Sequence, residues 1–434
     1  MKRYGVQLRV IWLSICMFVL VVASHTNAKE QISITLQYRQ HDAGAAVTAE
    51  WIEEFGKLHP AIGVTWQPMT GNWEDKLLTE MLAGTAPDVF EFWSSFNQRL
   101  RQQGLLLDLT PYTKRDFTEQ DIADFFPSVW ETSFTRFGPQ AGSQYIMPRY
   151  INIMTFHYNV DRFLAAGLPD PSELDMQGEW TWDTLRESAR KLTRRDSQQV
   201  TQYGAMLSSQ SLPRVLNWIW GAGGDLLDAQ NPRRFVADTP AAEEGIQFLC
   251  NMMWEDGIAA PSFGHAGFLN GTIPIIEEGM QVVFGFMDTI GDAFTWDSIR
   301  RPAGPAGRPG YLVDDSFGIW VDTPHPEEAW QLLKFLVSRE GQEIMVKHSL
   351  LPPVRRSAAP TYLKLAPDHN LSAFIDAVAD SQPTVYSRMQ GDISRINSAL
   401  WEMLRSVLNN TQPYRVAVEA YRPRIEALLA EASH

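Results

Sequence analysis

Between Ile32 and Phe92 the chain alternates short β-patterned runs with helical ones, and that alternation restricts the fold more than any other feature. Ile32 to Tyr38, ISITLQY, has the period-two pattern of a strand, with Arg39, Gln40, His41 and Asp42 as its polar exit. Ala45 to Leu58 then carries Trp51, Ile52 and Phe55 on one side of a helix. Ile62 to Trp66 is a second strand, Asn72-Trp73 opens a helix through Leu82, and AGTAPDVFEFW follows from Ala83 to Trp93. There Gly84 ends the helix, Pro87 forbids its continuation, and Val89 to Phe92 makes a third strand. Strand, helix, strand, helix, strand is the pattern of an α/β fold with a parallel sheet.

Further along, Tyr145 to Tyr158 is the longest strand-like run. Pro148 and Asn152 are out of place in a plain sheet element, so the run reads as a chain crossing between two domains. Thr181 is a good N-cap for a helix from Thr184 to Leu192, and Ser211 to Trp220 and Pro240 to Trp254 are further helices. Gly279 to Thr289, GMQVVFGFMDT, reads as a strand buried on both faces over Val282 to Phe284. Its exit residues Phe286, Met287 and Asp288 then fall where ligands bind in open α/β sheets, with a buried turn of core as the competing reading. Arg301 to Gly310, RPAGPAGRPG, is a loop, Phe317 to Val321 a strand and Pro326 to Ser338 a helix. The tail from Ser372 is helical, broken near Gln412-Pro413.

Lys2, Arg3 and Arg9 precede an apolar run from Val10 to Ala23 and a small, polar stretch ending at Ala28. This is the order of a cleaved signal peptide over residues 1–28, and the run is shorter than the roughly 20 residues of a spanning helix. Export to the periplasm is expected. Lipid attachment at Cys16 is not, because Ile15 is branched and the apolar run continues past it. After cleavage only Cys250 is left, which excludes an intramolecular disulfide. The remaining 34 basic and 51 acidic residues give a net charge of −17, a field that repels nucleic acid and anionic membranes. A neutral or cationic ligand is favoured.

The ordered set AGTAPDVFEFW, HYNVDRFLAAGLP at His157, WTWDTLRESARKLT at Trp180, GAGGDLL at Gly221, RPAGPAGRPG, AWQLLKFLVSREGQE at Ala329 and LPPVRRS at Leu351 resembles a known family. The family is the extracellular solute-binding proteins of ABC importers, in its sugar-binding class with the maltodextrin-binding fold. The resemblance implies an α/β, two-lobe periplasmic-binding-protein fold, each lobe a mainly parallel sheet flanked by helices, with ligand in the cleft between lobes. The implied crossovers are Tyr145 to Tyr158, Met280 to Asp288 and a segment near Asp322 to Pro326. Residues 29–144 with 283–321 would form the first lobe, and 145–282 with 322–434 the second. The implied partners are a mono- or oligosaccharide and the membrane permease subunits, with the binder a monomer.

A sugar pocket needs flat aromatic platforms beside planar hydrogen-bonding groups. Trp93 and Ser94 follow the third strand, with a core role for Trp93 left open. Tyr38, Arg39 and Gln40 end the first strand, where the resemblance places a ligand-contacting loop. Arg149 and Asn152 lie on the first crossover, facing ligand or forming a hinge salt bridge. Of Trp218 and Trp220, helical spacing sends one to the core. Phe286, Met287 and Asp288, Phe317 after Asp314 and Asp315, and Arg355 complete the candidates. No metal or other cofactor is expected, since His41, His157 and His265 have no neighbours at ligand spacing. The motifs of lipases, zinc proteases and nucleotide hydrolases are absent from the sequence. Two alternatives stay open: a binder of a polyamine, peptide or polyol, and a secreted carbohydrate-active enzyme using Glu91 and Asp288 as its carboxylates.

Overall fold

The computed structural model describes residues 31–431 except 41, 198 and 314, and gives the backbone alone at 42, 94 and 95. The expected signal peptide, His41, Asp314 and the Ser94 side chain therefore lie outside the described residues. In chain order the strands are β1 (Ile32–Arg39), β2 (Ile62–Met69), β3 (Val89–Phe92), β4 (Met147–Pro148), β5 (Met154–Asn159), β6 (Arg194–Asp196) and β7 (Gln199–Gln202). They continue as β8 (Ala205–Met206), β9 (Ile275–Gly279), β10 (Trp296–Ile299), β11 (Gly310–Leu312), β12 (Ser316–Ile319) and β13 (Ser381–Pro383).

Two sheets organise the molecule. The first runs β2-β1-β3-β12-β4, with β1 parallel to β2 and β3 as the alternation requires, and β12 antiparallel to β3 and β4. The second runs β10-β5-β9-β8; only β8 and β9 are parallel there, so the second sheet is mixed rather than mainly parallel. Helix α1 (Asp42–Leu58) buries Val47, Trp51 and Phe55 on one face of the first sheet. The Trp51 indole N–H donates to the Gly341 carbonyl at 2.7 Å, so even this fully buried ring leaves no polar atom unpaired. On the opposite face α2 (Trp73–Ala83) and α3 (Ser94–Gln102) cover Phe90 and Phe92 with Leu77, Met81, Phe96 and Leu100. Gly84 closes α2 at φ 75°, a left-handed position that suits glycine.

The chain leaves the first sheet at β4 and enters the second at β5, so the run Tyr145 to Tyr158 does pass between them at Arg149 to Ile153. The other expected crossovers move. Met280 to Asp288 is not a strand: Met280–Val282 is a 3-10 turn and Val283–Ile290 an α-helix. Val283, Phe286 and Ile290, at i, i+3 and i+7, form its buried face, while Gly285, Asp288 and Thr289 are exposed. The strand is β9 just before it, whose sequence IIEEG hides a buried edge behind two carboxylates. The second crossing lies instead between β11 and β12, where Val313 N–H donates to the Asn152 carbonyl at 3.0 Å.

Asp322 to Pro326 stays with the first sheet, because the helix Pro326–Leu336 packs on β12, β1 and β3 and the helix Arg339–Ser349 on α1. A third passage follows Ser349, beginning where Ile151 N–H donates to the Pro352 carbonyl. Residues 283–299 belong with the second sheet through the β10–β5 pairing. The sheet pairings thus separate the lobes differently from the expected boundaries. The tail helices Ile393–Leu408 and Tyr414–Glu431 pack on Leu212–Gly221 and Pro240–Cys250.

Candidate ligand site between the two sheets

The first wall grows from the carboxyl ends of β1 and β3. Strand alternation sends Tyr38 to one face, where it meets Trp51 edge to face at 5.0 Å and Phe317 at 6.0 Å, and leaves Arg39 half-buried at the strand's end. Arg39 Nε donates to Glu91 Oε1 at 2.8 Å, and Arg149 Nε stands 3.1 Å from Glu91 Oε2. Arg149 Nη1 donates to the Tyr38 hydroxyl at 2.8 Å, and its Nη2 lies 3.9 Å from Asp315. The Asn152 amide donates to the Tyr150 hydroxyl at 3.0 Å, and the Arg149 guanidinium lies 4.3 Å from the Tyr150 ring centroid. Burial is the largest influence on the Arg39 cation and works against it, but Glu91, Tyr150, Asp315 and Tyr38 together hold its pKa above the usual arginine value. Burial, with Asp315 beside it, keeps Tyr150 a neutral phenol far above neutral pH.

Trp93 follows directly as the N-cap residue of α3, with extended backbone and a half-buried ring. It meets Trp73 edge to face at 4.4 Å, and the Arg39 guanidinium carbon is 5.9 Å from its centroid. An indole pair and a fixed guanidinium therefore share one wall.

The second wall repeats the device on other elements. Glu278, at the end of β9, is 3% exposed and accepts from Arg214 Nη2 at 3.0 Å, from the Gly279 N–H at 2.8 Å and from Gln281 Nε2 at 3.0 Å. His265 Nε2 lies 3.0 Å from its other oxygen, and Arg214 also donates to the Ser208 hydroxyl at 2.5 Å. Burial pushes the Glu278 carboxyl up, yet Arg214, His265 and the Gly279 N–H together hold it below the ordinary glutamate range. The neighbouring Glu277 points the other way, pairing with Arg301 and accepting from Ser208 N–H at 3.0 Å. Arg301 in turn lies 4.8 Å over the Trp218 ring, in the second sheet's core.

Between α3 and the segment Tyr386 to Asn397 lies a cavity of about 570 Å³, lined by Glu74, Phe96 and Arg99 on one side and Tyr386, Asp392 and Asn397 on the other. Its size suits a small organic ligand. Gln102 Nε2 donates across to the Gly391 carbonyl at 3.1 Å. A groove of about 540 Å³ over Trp182 and Phe248 has no residue from the first sheet's side. Its carboxylates Asp183 and Glu243 stand in first turns of helices, where the helix dipole accounts for them.

Of the residues singled out from sequence, Arg39, Trp93, Arg149 and Asn152 come together, with Gln40 exposed beyond β1. The rest do not join them. Tyr38 reaches them only through its hydroxyl, which accepts from Arg149, while its ring and Phe317 are core of the first sheet; Trp218 and Trp220 are both buried, against the expectation that only one would be. Phe286 packs on Phe268 and Trp296, Met287 is half-buried on the same helix, and Asp288 faces solvent. Arg355 is buried and structural: its Nε donates to the Val337 carbonyl at 2.7 Å and its Nη1 to the Asp121 carbonyl at 2.6 Å. Sequence reasoning missed Ser208, Arg214, His265, Glu278 and Gln281. The one signal was EEG closing an apolar run, since two buried carboxylates demand partners. Among the described residues no group of three or more His, Cys, Asp or Glu is placed to hold a metal ion, and no helix is long and apolar enough to cross a membrane.

Comparison with known proteins agrees with this architecture. A curated protein of Brucella abortus is 25% identical over 368 residues, which are 79% of this chain and 80% of the relative. The sugar-binding protein MalE of Xanthomonas citri has the same fold, with a TM-score of 0.75 at 23% identity over 92% of this chain and 98% of that one. So does the ABC substrate-binding protein Lmo0181 of Listeria monocytogenes, solved with cycloalternan, with a TM-score of 0.73 at 21% identity over 92% and 99%. The profile of the bacterial extracellular solute-binding proteins matches residues 39–343. Two α/β lobes, a cavity lined from both sides and this match have one reading: the chain belongs to the bacterial extracellular solute-binding family, whose exported binders serve ABC importers.

Proposed function

We propose that the protein captures a mono- or oligosaccharide between its two lobes, closes on it, and delivers it unaltered to a membrane permease. The observation that carries this is the repeated pairing of a buried carboxylate with a half-exposed arginine on both walls. Arg39 is 26% exposed over a 1% exposed Glu91, and Arg214 20% exposed over a 3% exposed Glu278. Such guanidiniums are held still while keeping N–H groups for hydroxyls, and the Trp73–Trp93 pair supplies an apolar face for a sugar ring. The Listeria protein's complex with cycloalternan and the naming of the Xanthomonas protein as sugar-binding support the same class.

The basic and apolar stretch before Ala28 supports export with cleavage, so the protein acts in the periplasm. A polyamine would meet Arg39 and Arg214 as like charges, which argues against that solute. Hydrolysis is disfavoured too. Glu91 is committed to two arginines, and Asp288 sits on the exposed face of the helix Val283–Ile290, whose other face is core.

A thermal-shift screen of sugars, polyamines and amino acids tests the reading. A true ligand at 100 times its Kd stabilises by about 2.7 kcal/mol. Shifts from polyamines or amino acids alone would sink the sugar assignment, and turnover of a chromogenic glycoside would sink the binder.

A further inference from the structure

Glu91 touches both the cleft wall and the hinge. Its Oε1 accepts from Arg39, which faces the cleft, and its Oε2 lies 3.1 Å from Arg149 Nε, within the first crossing. Arg149 is where the three passages between lobes are tied together. Its backbone N–H donates to the Asp315 carbonyl of the second crossing at 2.9 Å, and its carbonyl accepts from Gln342 Nε2 at 3.0 Å. Two residues on, Ile151 N–H donates to the Pro352 carbonyl of the third. The Glu91–Arg149 contact is close but undirected: Glu91 Oε2 and Arg149 Nε and Nη2 are all buried without a properly aimed hydrogen bond. A buried ion pair short of its own best geometry gains from any small rotation of the crossing segment that aligns it.

We propose that Glu91 is a positioning residue that couples Arg39 to the hinge, so that engaging Arg39 in the cleft biases the angle between the lobes. Arg39 and Arg149 share one carboxylate, one oxygen each. When Arg39 is drawn toward a ligand acceptor, Glu91 is released toward Arg149 and the crossing segment follows. This rests on the sugar reading only for what Arg39 contacts; the coupling is tested without ligand.

Dyes are placed on the mature chain from Lys29, which lacks Cys16, at Leu82→Cys in the first lobe and Met176→Cys in the second, both more than 70% exposed. The native Cys250 does not compete, because burial pushes its thiol up to about 12. Single-molecule energy transfer then gives the ratio of long- to short-distance populations of the unliganded protein. Arg39→Gln is expected to change that ratio by about twofold or more, the scale of coupling between contacting charged groups. Arg39→Lys, which keeps a cation for Glu91, is expected to restore it, and in a Glu91→Gln background Arg39→Gln is expected to change nothing further. Should Glu91→Gln fail to fold, Arg149→Gln, which removes the cation that Glu91 would turn toward, is the second background, with the same expectation. An unchanged ratio for Arg39→Gln alone, or an equal effect in either background, overturns the coupling. Neither outcome depends on the sugar screen.

Discussion

Trp73 and Trp93 stand edge to face on the first wall, their ring centroids 4.4 Å apart and their planes at 71°. Because Trp93 is half-buried and leans on another aromatic rather than on the sheet core, its exposed face is free to pack on ligand. Trp93→Ala should therefore weaken sugar binding by roughly 1–3 kcal/mol. The unliganded melt should lose less than the roughly 3–5 kcal/mol of a core aromatic. Calorimetric titration beside an unliganded melt decides it, and a large destabilisation with unchanged Kd would remove Trp93 from the site.

Glu278 organises the second wall, and charge is what it contributes. Glu278→Gln keeps the shape but leaves Arg214 without its counter-charge, so the fold should lose on the order of 3 kcal/mol. Sugar affinity should fall at least tenfold, about 1.4 kcal/mol, as Arg214 loses its fixed direction. Denaturant melts and titrations measure the two separately. Unaltered affinity in a folded variant would take Arg214 out of the cleft.

The first sheet was legible because β1 to β3 follow one another and each carries a plain period. Thr181 was legible as an N-cap for the same local reason, and its side chain does accept from Thr184 N–H. What failed was non-local. Val282 to Phe284 has strand-like composition, yet Val283, Phe286 and Ile290 also share a helical face, and only packing on Phe268 and Trp296 chooses between them. The true strand was masked by Glu277 and Glu278, whose partners Arg301 and Arg214 lie 24 and 64 residues away. Tyr38 and Phe317 were drawn into the site by their place at strand ends, although alternation turns both rings inward.

Arg355 offers a control from the same sequence reading. Its guanidinium lies 3.8 Å over the Phe125 ring and bonds the carbonyls of Val337 and Asp121, all within the first lobe. Arg355→Met leaves those acceptors unpaired and should cost on the order of 3 kcal/mol in an unliganded melt, while Kd stays within about twofold. A selective loss of affinity would return Arg355 to the ligand site.

His157 gives the fold a pH dependence with a defined sign. It is fully buried on β5 among Phe268, Phe286, Trp296 and Phe374, with Nδ1 3.0 Å from the Ser298 hydroxyl. Burial lowers its pKa from 6.5 to about 4, despite the opposing pull of Glu278. Between those values the unfolded chain holds a proton on this ring that the native state does not, so stability rises with pH through this window and falls as pH drops from 6.5 toward 4. The full effect is about 3 kcal/mol, and the local slope approaches about 1.4 kcal/mol per pH unit. His157→Gln should lower stability near neutral pH but flatten the curve by roughly one proton's worth. Urea melts at pH 4.5, 5.5 and 6.5 for both proteins measure that difference, and parallel curves would show that His157 is not the group that titrates.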